Sequence, residues 1–178
     1  FISNRAFGLG GSVYVDGLSD RQLSVRIDNC QFEDSIAYTY GGSIYAKNLK
    51  DGFFIGRTNF ISSSALNWDG GAIGLYQCDS ITIFGCNFTS TTAIDGVGGA
   101  IILYTSHHAI VSFCTFTSTT AKFGGAIGTE GANYVNIESC TFSLTSASSY
   151  GGAISFTMYG DGGSVSLCNF TSTSATNG

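Results

Sequence analysis

Gly70-Gly71-Ala72-Ile73-Gly74-Leu75, Ile81-Thr82-Ile83 and Cys86-Asn87-Phe88-Thr89-Ser90-Thr91 decide the fold. Each piece alternates with a period of two, the pattern of a strand with one buried face. The first turns Ile73 and Leu75 inward, the second Ile81 and Ile83. The third turns Cys86 and Phe88 inward and leaves Asn87 and Thr89 outside.

The same phrase recurs along the whole chain. A Phe is followed three residues later by a small polar residue and five residues later by Ala. It appears at Phe1, Phe32, Phe60, Phe88, Phe116, Phe142 and Phe170. Glycine pairs follow at Gly10-Gly11, Gly41-Gly42, Gly70-Gly71, Gly98-Gly99, Gly124-Gly125 and Gly151-Gly152. Phe-to-Phe spacings are 31, 28, 28, 28, 26 and 28 residues. A fixed period in this range is a solenoid signature, each repeat burying its apolar face against its neighbours. Period-two patterning excludes helical solenoids. The reading is all-β: a right-handed parallel β-helix with three sheets and about six to seven coils.

Equivalent residues then stack into columns at roughly 4.8 Å. Phe32, Phe60, Phe88, Phe116, Phe142 and Phe170 form an internal aromatic ladder. The Ser, Thr or Asn three residues after each Phe is expected to bond the backbone of its turn. The glycine pair supplies positive φ or a close backbone approach at one corner. The Ala is read as a second tight corner. An excursion from Asp16 to Arg21 sits between strands of the first full coil.

Residues 1–178 read as one domain, with 25 Gly, no Pro and only 11% charged residues. Hydrophobic content of 43% supplies a core. The net charge of −5 argues against a nucleic-acid partner. No apolar run reaches the length of a membrane span, so no membrane insertion is expected. Both ends stand in phase with the repeat. The chain is therefore read as a segment of a longer array or a unit that stacks end to end.

Cys30, Cys86, Cys114, Cys140 and Cys168 stand two residues before a ladder Phe; Thr58 interrupts the series, and Cys78 lies in the preceding turn. The favoured reading is buried free thiols acting as small apolar residues. Stacking also permits Cys86–Cys114 and Cys140–Cys168 disulfides by distance. No metal or other cofactor is implied. Asn87-Phe88-Thr89 and Asn169-Phe170-Thr171 are N-glycosylation acceptors on equivalent outward positions.

Three classes of function compete. Thr89/Thr91, Thr115/Thr117/Thr119, Thr141/Thr145 and Thr171/Thr173 could form outward rows that order water, as on ice-binding solenoids; Gln31/Glu33 and Asn59/Ile61 break them. A β-helical polysaccharide lyase or hydrolase needs clustered carboxylates, but the acidic residues, Asp20 and Asp69 among them, are scattered. Asp16 and Lys47 are placed as a stacked ion pair, and His107-His108 lies in a turn. No catalytic constellation emerges, so no enzyme is expected. Tyr14, Tyr45, Tyr76, Tyr104, Tyr150 and Trp68 sit at outward or corner sites, suited to sugar stacking or protein contacts.

The GGA[I/L/V] phrase, present as GGSV, GGSI and four GGAI, together with FxxN, literal at Phe1-Ile2-Ser3-Asn4, resembles the repeats of chlamydial polymorphic outer membrane proteins. The resemblance implies a surface-exposed β-helix, in some members an adhesin. The function expected is an extracellular or cell-surface structural rod or fibre, with surface glycans or proteins as possible partners.

Overall fold

The computed structural model describes residues 1–17, 23–157 and 160–177. Asp20 and the excursion beyond Gly17 lie outside the described residues. Among the described residues all regular structure is strand and every ladder is parallel; pairing stays in register from coil to coil except in sheet 4, where it shifts between Ala93 and Val97 and between Ala121 and Phe123. The coil that decided the reading runs Ile73–Tyr76 (sheet 1), Asp79–Phe84 (sheet 2), Asn87–Thr89 (sheet 3) and Thr92–Val97 (sheet 4). Sheets 1, 2 and 3 have six strands each.

Sheet 4 is the difference from the three-sheet expectation. It is a seven-stranded ladder through the alanine position, pairing Ala6 with Ala37, Ala65 with Ala93 and Ala121 with Ala147. Four of its strands are two residues long and contribute a single inward residue, in spans such as Ser64–Ala65. One residue cannot show an alternation, so the sequence pattern reads as a corner what the backbone makes a strand.

Single residues in the left-handed region turn the chain between sheets. In the reference coil these are Gly70 (φ 68°), Gln77 (53°), Gly85 (61°) and Ser90 (54°). The column at Ser90 also contains Asp34 and Leu144, so positive φ by itself does not demand glycine, although it costs an L-residue roughly 1–2 kcal/mol. Stacking makes the demand at the glycine pair. A Cβ on Gly71, which lacks a positive φ, would overlap the Gly99 carbonyl oxygen of the next coil. The Gly71 N–H donates to the Gly98 carbonyl at 3.1 Å.

Inside, the Phe ladder runs unbroken. Rings from Phe1 to Phe170 stack with centroids 4.7–5.1 Å apart and planes within 12°. Phe32, Phe60, Phe88, Phe116 and Phe142 have no exposed surface. Isolated aromatic pairs favour offset or edge-to-face geometry; parallel register holds these rings face to face, ring over ring.

The small polar residue after each Phe behaves differently from expectation. Ser35 and Ser63 are fully buried, and their hydroxyls bond other hydroxyls, those of Ser12 (2.8 Å) and Ser43 (2.7 Å). In the next three coils Ala72, Ala100 and Ala126 occupy the Ser12/Ser43 position, while Thr91, Thr119 and Thr145 occupy the other. These three Thr hydroxyls are buried without a partner. A Ser–Ser pair and an Ala–Thr pair contain the same number of side-chain heavy atoms. The column therefore keeps its volume while exchanging a hydrogen bond for a methyl contact.

Two stability tests follow from these contacts. Gly71→Ala should lower urea-denaturation stability by more than the ~1 kcal/mol of an ordinary local change, because backbone rather than side chain must move; a neutral result contradicts the stacking constraint. Ser43→Ala, which orphans the Ser63 hydroxyl, should cost about 1–3 kcal/mol. Adding Ser63→Thr should recover part of that loss, whereas a double variant equal to the sum of the two singles contradicts the coupling.

Candidate functional site

Sheet 1 and the corner leading into it carry an aromatic terrace. Outward positions align in two files up the solenoid. One runs Tyr14, Tyr45, Gly74, Ile102; the other runs Asp16, Lys47, Tyr76, Tyr104, Glu130. Gly74 leaves room beside Tyr45, whose ring edge lies 3.3 Å from where a Cβ would stand. Tyr14 stacks on Tyr45 at 5.9 Å, and Tyr76 on Tyr104 at 4.9 Å. Tyr40, from the corner before Gly41, bridges the files, reaching Tyr45 and Trp68 at 5.9 Å each and Tyr76 at 4.9 Å. Tyr14, Trp68 and Tyr104 present exposed faces, while Tyr45 is buried under its neighbours.

Asp69 anchors the terrace. It is only 8% exposed. One carboxylate oxygen accepts the Val97 N–H at 2.8 Å, and the other accepts the Tyr76 hydroxyl at 3.0 Å. Burial raises its pKa above the ordinary Asp value, against the two hydrogen bonds. Burial, reinforced by the Asp69 charge, pushes the Tyr76 phenol far up; burial above all takes Tyr45 to about 12, against the nearby Lys47 charge. Glu130 is also raised, first by burial and then by Asp69. At neutral pH both phenols are neutral, and the Tyr76 hydroxyl is the donor to Asp69.

The aromatic residues at sheet 1 and its corner were visible in the sequence, but Tyr40 and Asp69 were not singled out. The missed signal is positional. Immediately before the glycine pair the chain carries Leu9, Tyr40, Asp69, Val97, Phe123 and Tyr150, so Asp69 is the one charge in an otherwise apolar or aromatic column. Tyr150 lies apart, stacked with Phe123 at 6.0 Å.

The other candidates separate. The Asp16–Lys47 pair forms at 3.1 Å on the surface, and that contact lowers the Asp16 pKa and raises that of Lys47. His107 Nδ1 accepts the Asn133 N–H at 3.1 Å, and His108 stacks on Tyr134. No group of three or more His, Cys, Asp or Glu among the described residues is placed to hold a metal. Asn87 and Asn169 are exposed, as glycan acceptors must be; the Asn87 side-chain amide donates to Asn59 Oδ1 at 2.9 Å. The Thr rows are narrower than expected. Thr91, Thr119 and Thr145 point into the core, leaving two outward residues per strand, such as Thr115 and Thr117.

All six cysteines are free thiols, so neither Cys86–Cys114 nor Cys140–Cys168 is bridged. Their common role is at corners. Each follows a left-handed corner residue, and each thiol donates to the carbonyl two residues back at 3.2–3.5 Å. Thr58 and Ser106 make the same bond with hydroxyls, at 2.8 and 3.0 Å. They also accept backbone N–H groups of Cys30 and Cys78 from the adjacent coil. Cys78 is thus the same device at another corner. Its burial pushes the thiol up to about 11.

The chain has no match among family models, characterised proteins or solved structures.

Two measurements check this region. Asp69→Asn keeps an acceptor for Val97 and a polar partner for Tyr76. Because the folded-state pKa of Asp69 is raised, its carboxyl binds more protons folded than unfolded, and its contribution to stability falls as pH rises from 3.8 to the raised value. Across that window the variant should gain stability relative to the parent; a flat difference contradicts the desolvation of Asp69. Without reductant, a thiol reagent at neutral pH should modify six cysteines after unfolding and spare the core ones before it. Fewer than six after unfolding means bridges.

Proposed function

We propose that the chain is a stiff β-solenoid rod of the cell surface or extracellular space, with a structural role and no catalytic one. The observation that carries this is the Phe ladder, continuous through every coil, with in-register parallel sheets around it. A parallel solenoid is stable because each coil serves as the template for the next, so a long, straight, low-charge body is what this sequence is built to make. No helix is long and apolar enough to cross a membrane. The resemblance to polymorphic outer membrane protein repeats and the outward placement of Asn87 and Asn169 favour the surface location. Further coils, of the same polypeptide or of a second copy, would extend the ladders end to end.

The aromatic terrace favours an adhesive contribution, because Tyr and Trp offer amphipathic faces to sugars or proteins. Ice binding loses support from the inward turn of Thr91, Thr119 and Thr145. For a lyase or hydrolase, the carboxylate at the terrace, Asp69, is bonded by a phenol and a backbone N–H.

Material purified from its source tests the reading. A membrane-impermeant label should reach the protein on intact cells or in the medium, and enzymatic deglycosylation should lower its mass and convert Asn87 and Asn169 to Asp. An unlabelled, unglycosylated protein retained inside the cell contradicts it.

A further inference from the structure

Tyr76 is the hub of the terrace. Tyr40 and Tyr104 lie 4.9 Å from it and Tyr45 lies 5.2 Å away, ring centre to ring centre. Its hydroxyl points at a buried carboxylate whose other oxygen is held by the Val97 N–H. Tyr104 stacks on it with planes 20° apart and, as the next residue up the same file, presents the same carbons in the same direction. Tyr104 is 36% exposed, so an oxidant in solution can reach it.

We propose that Tyr76 and Tyr104 are an oxidative cross-linking site, at which a one-electron oxidant of the haem peroxidase and hydrogen peroxide class joins adjacent coils through a dityrosine bond. Each phenol loses one electron to the oxidant and one proton. The Tyr76 proton passes to Asp69 along the existing hydrogen bond, and the Tyr104 proton passes to water. The two phenoxyl radicals couple through ring carbons ortho to oxygen. One C–C bond forms, the two ortho hydrogens leave those carbons and the hydroxyls are restored. The peroxide takes up the two electrons and two protons and becomes two waters. Burial, which raises the Asp69 pKa, makes it a better acceptor for that proton.

The in-register file gives the pair its preference over other tyrosines. Tyr40 is as near to Tyr76, at 4.9 Å, but meets it edge-on at 64° instead of stacking on it; Tyr14 and Tyr45 are a full ångström further apart, and Tyr45 is covered. Tyr134 is exposed but stacks on His108 rather than on another phenol. The inference is independent of the rod reading, since a cross-link between coils can form or fail whatever the rod is for.

The whole chain, treated with limiting peroxide and a haem peroxidase, should lose two hydrogen atoms in intact mass, gain dityrosine fluorescence and remain monomeric. Peptide mapping should place the bond between Tyr76 and Tyr104. Tyr104→Phe, which keeps the ring and the stack, should abolish that cross-link. Asp69→Asn should slow its formation about tenfold or more while leaving the slower oxidation of Tyr134 unchanged. Cross-links confined to other tyrosines, dimers joined through Tyr134 or the equally exposed Tyr38 in place of the Tyr76–Tyr104 bond, or an unaltered rate in Asp69→Asn would each overturn the proposal.

Discussion

The close approach of successive coils at the glycine corner is the constraint on which the rest depends. The carbonyl oxygen of each second glycine occupies the space that a Cβ on the glycine below would need, from Gly42 under Gly71 to Gly125 under Gly152. With the corner drawn in so tightly, its N–H groups reach the carbonyls of the next coil, as Gly42 reaches Gly70 and Gly99 reaches Gly124, both at 3.1 Å. Neighbouring coils must therefore repeat the same path, and every column of side chains inherits the coil spacing. Ring-over-ring stacking of Phe32, Phe60 and Phe88 is a consequence of that register more than a cause of it.

Fixed columns also explain which substitutions the chain tolerates along its length. A position must conserve volume and the direction of its bond, not its identity. Thiol and hydroxyl alternate at the corner that Cys30, Thr58 and Cys86 share, because each can donate to the carbonyl two residues back. Ser43 with Ser63 gives way to Ala72 with Thr91 at constant volume, at the cost of an unpartnered buried hydroxyl. Outside the core the same register places Tyr76 over Tyr104, and it is the irregular corner before Gly70 that adds Trp68 and Asp69 to them.

Sheets 1, 2 and 3, the ladder residues and the Asp16–Lys47 pair were legible in the sequence because each rests on period-two alternation or on position within the repeat. Sheet 4 was not, since a strand as short as Ile36–Ala37 shows no period. The direction of Thr91 was misread because a strand pattern extended through Ser90 predicts an outward Thr. The left-handed turn at Ser90 resets the alternation and sends Thr91 inside. Disposition of the terrace was half legible. Tyr14, Tyr45, Tyr76 and Tyr104 lie on strands of sheet 1, in two adjacent files set by the repeat, whereas Tyr40, Trp68 and Asp69 come from corners of unequal length, whose path no repeat fixes.

Residue-resolved amide hydrogen exchange of the folded chain tests the central claim most directly. If coil-to-coil bonding at the glycine corner sets the register, the amides of Gly42, Gly71, Gly99 and Gly125 are as strongly protected as those of sheet 1 residues such as Ile73 and Ile101. Corner amides that exchange at the rate of an open loop, beside protected sheets, would show that the sheets hold register without the corner and would contradict the account.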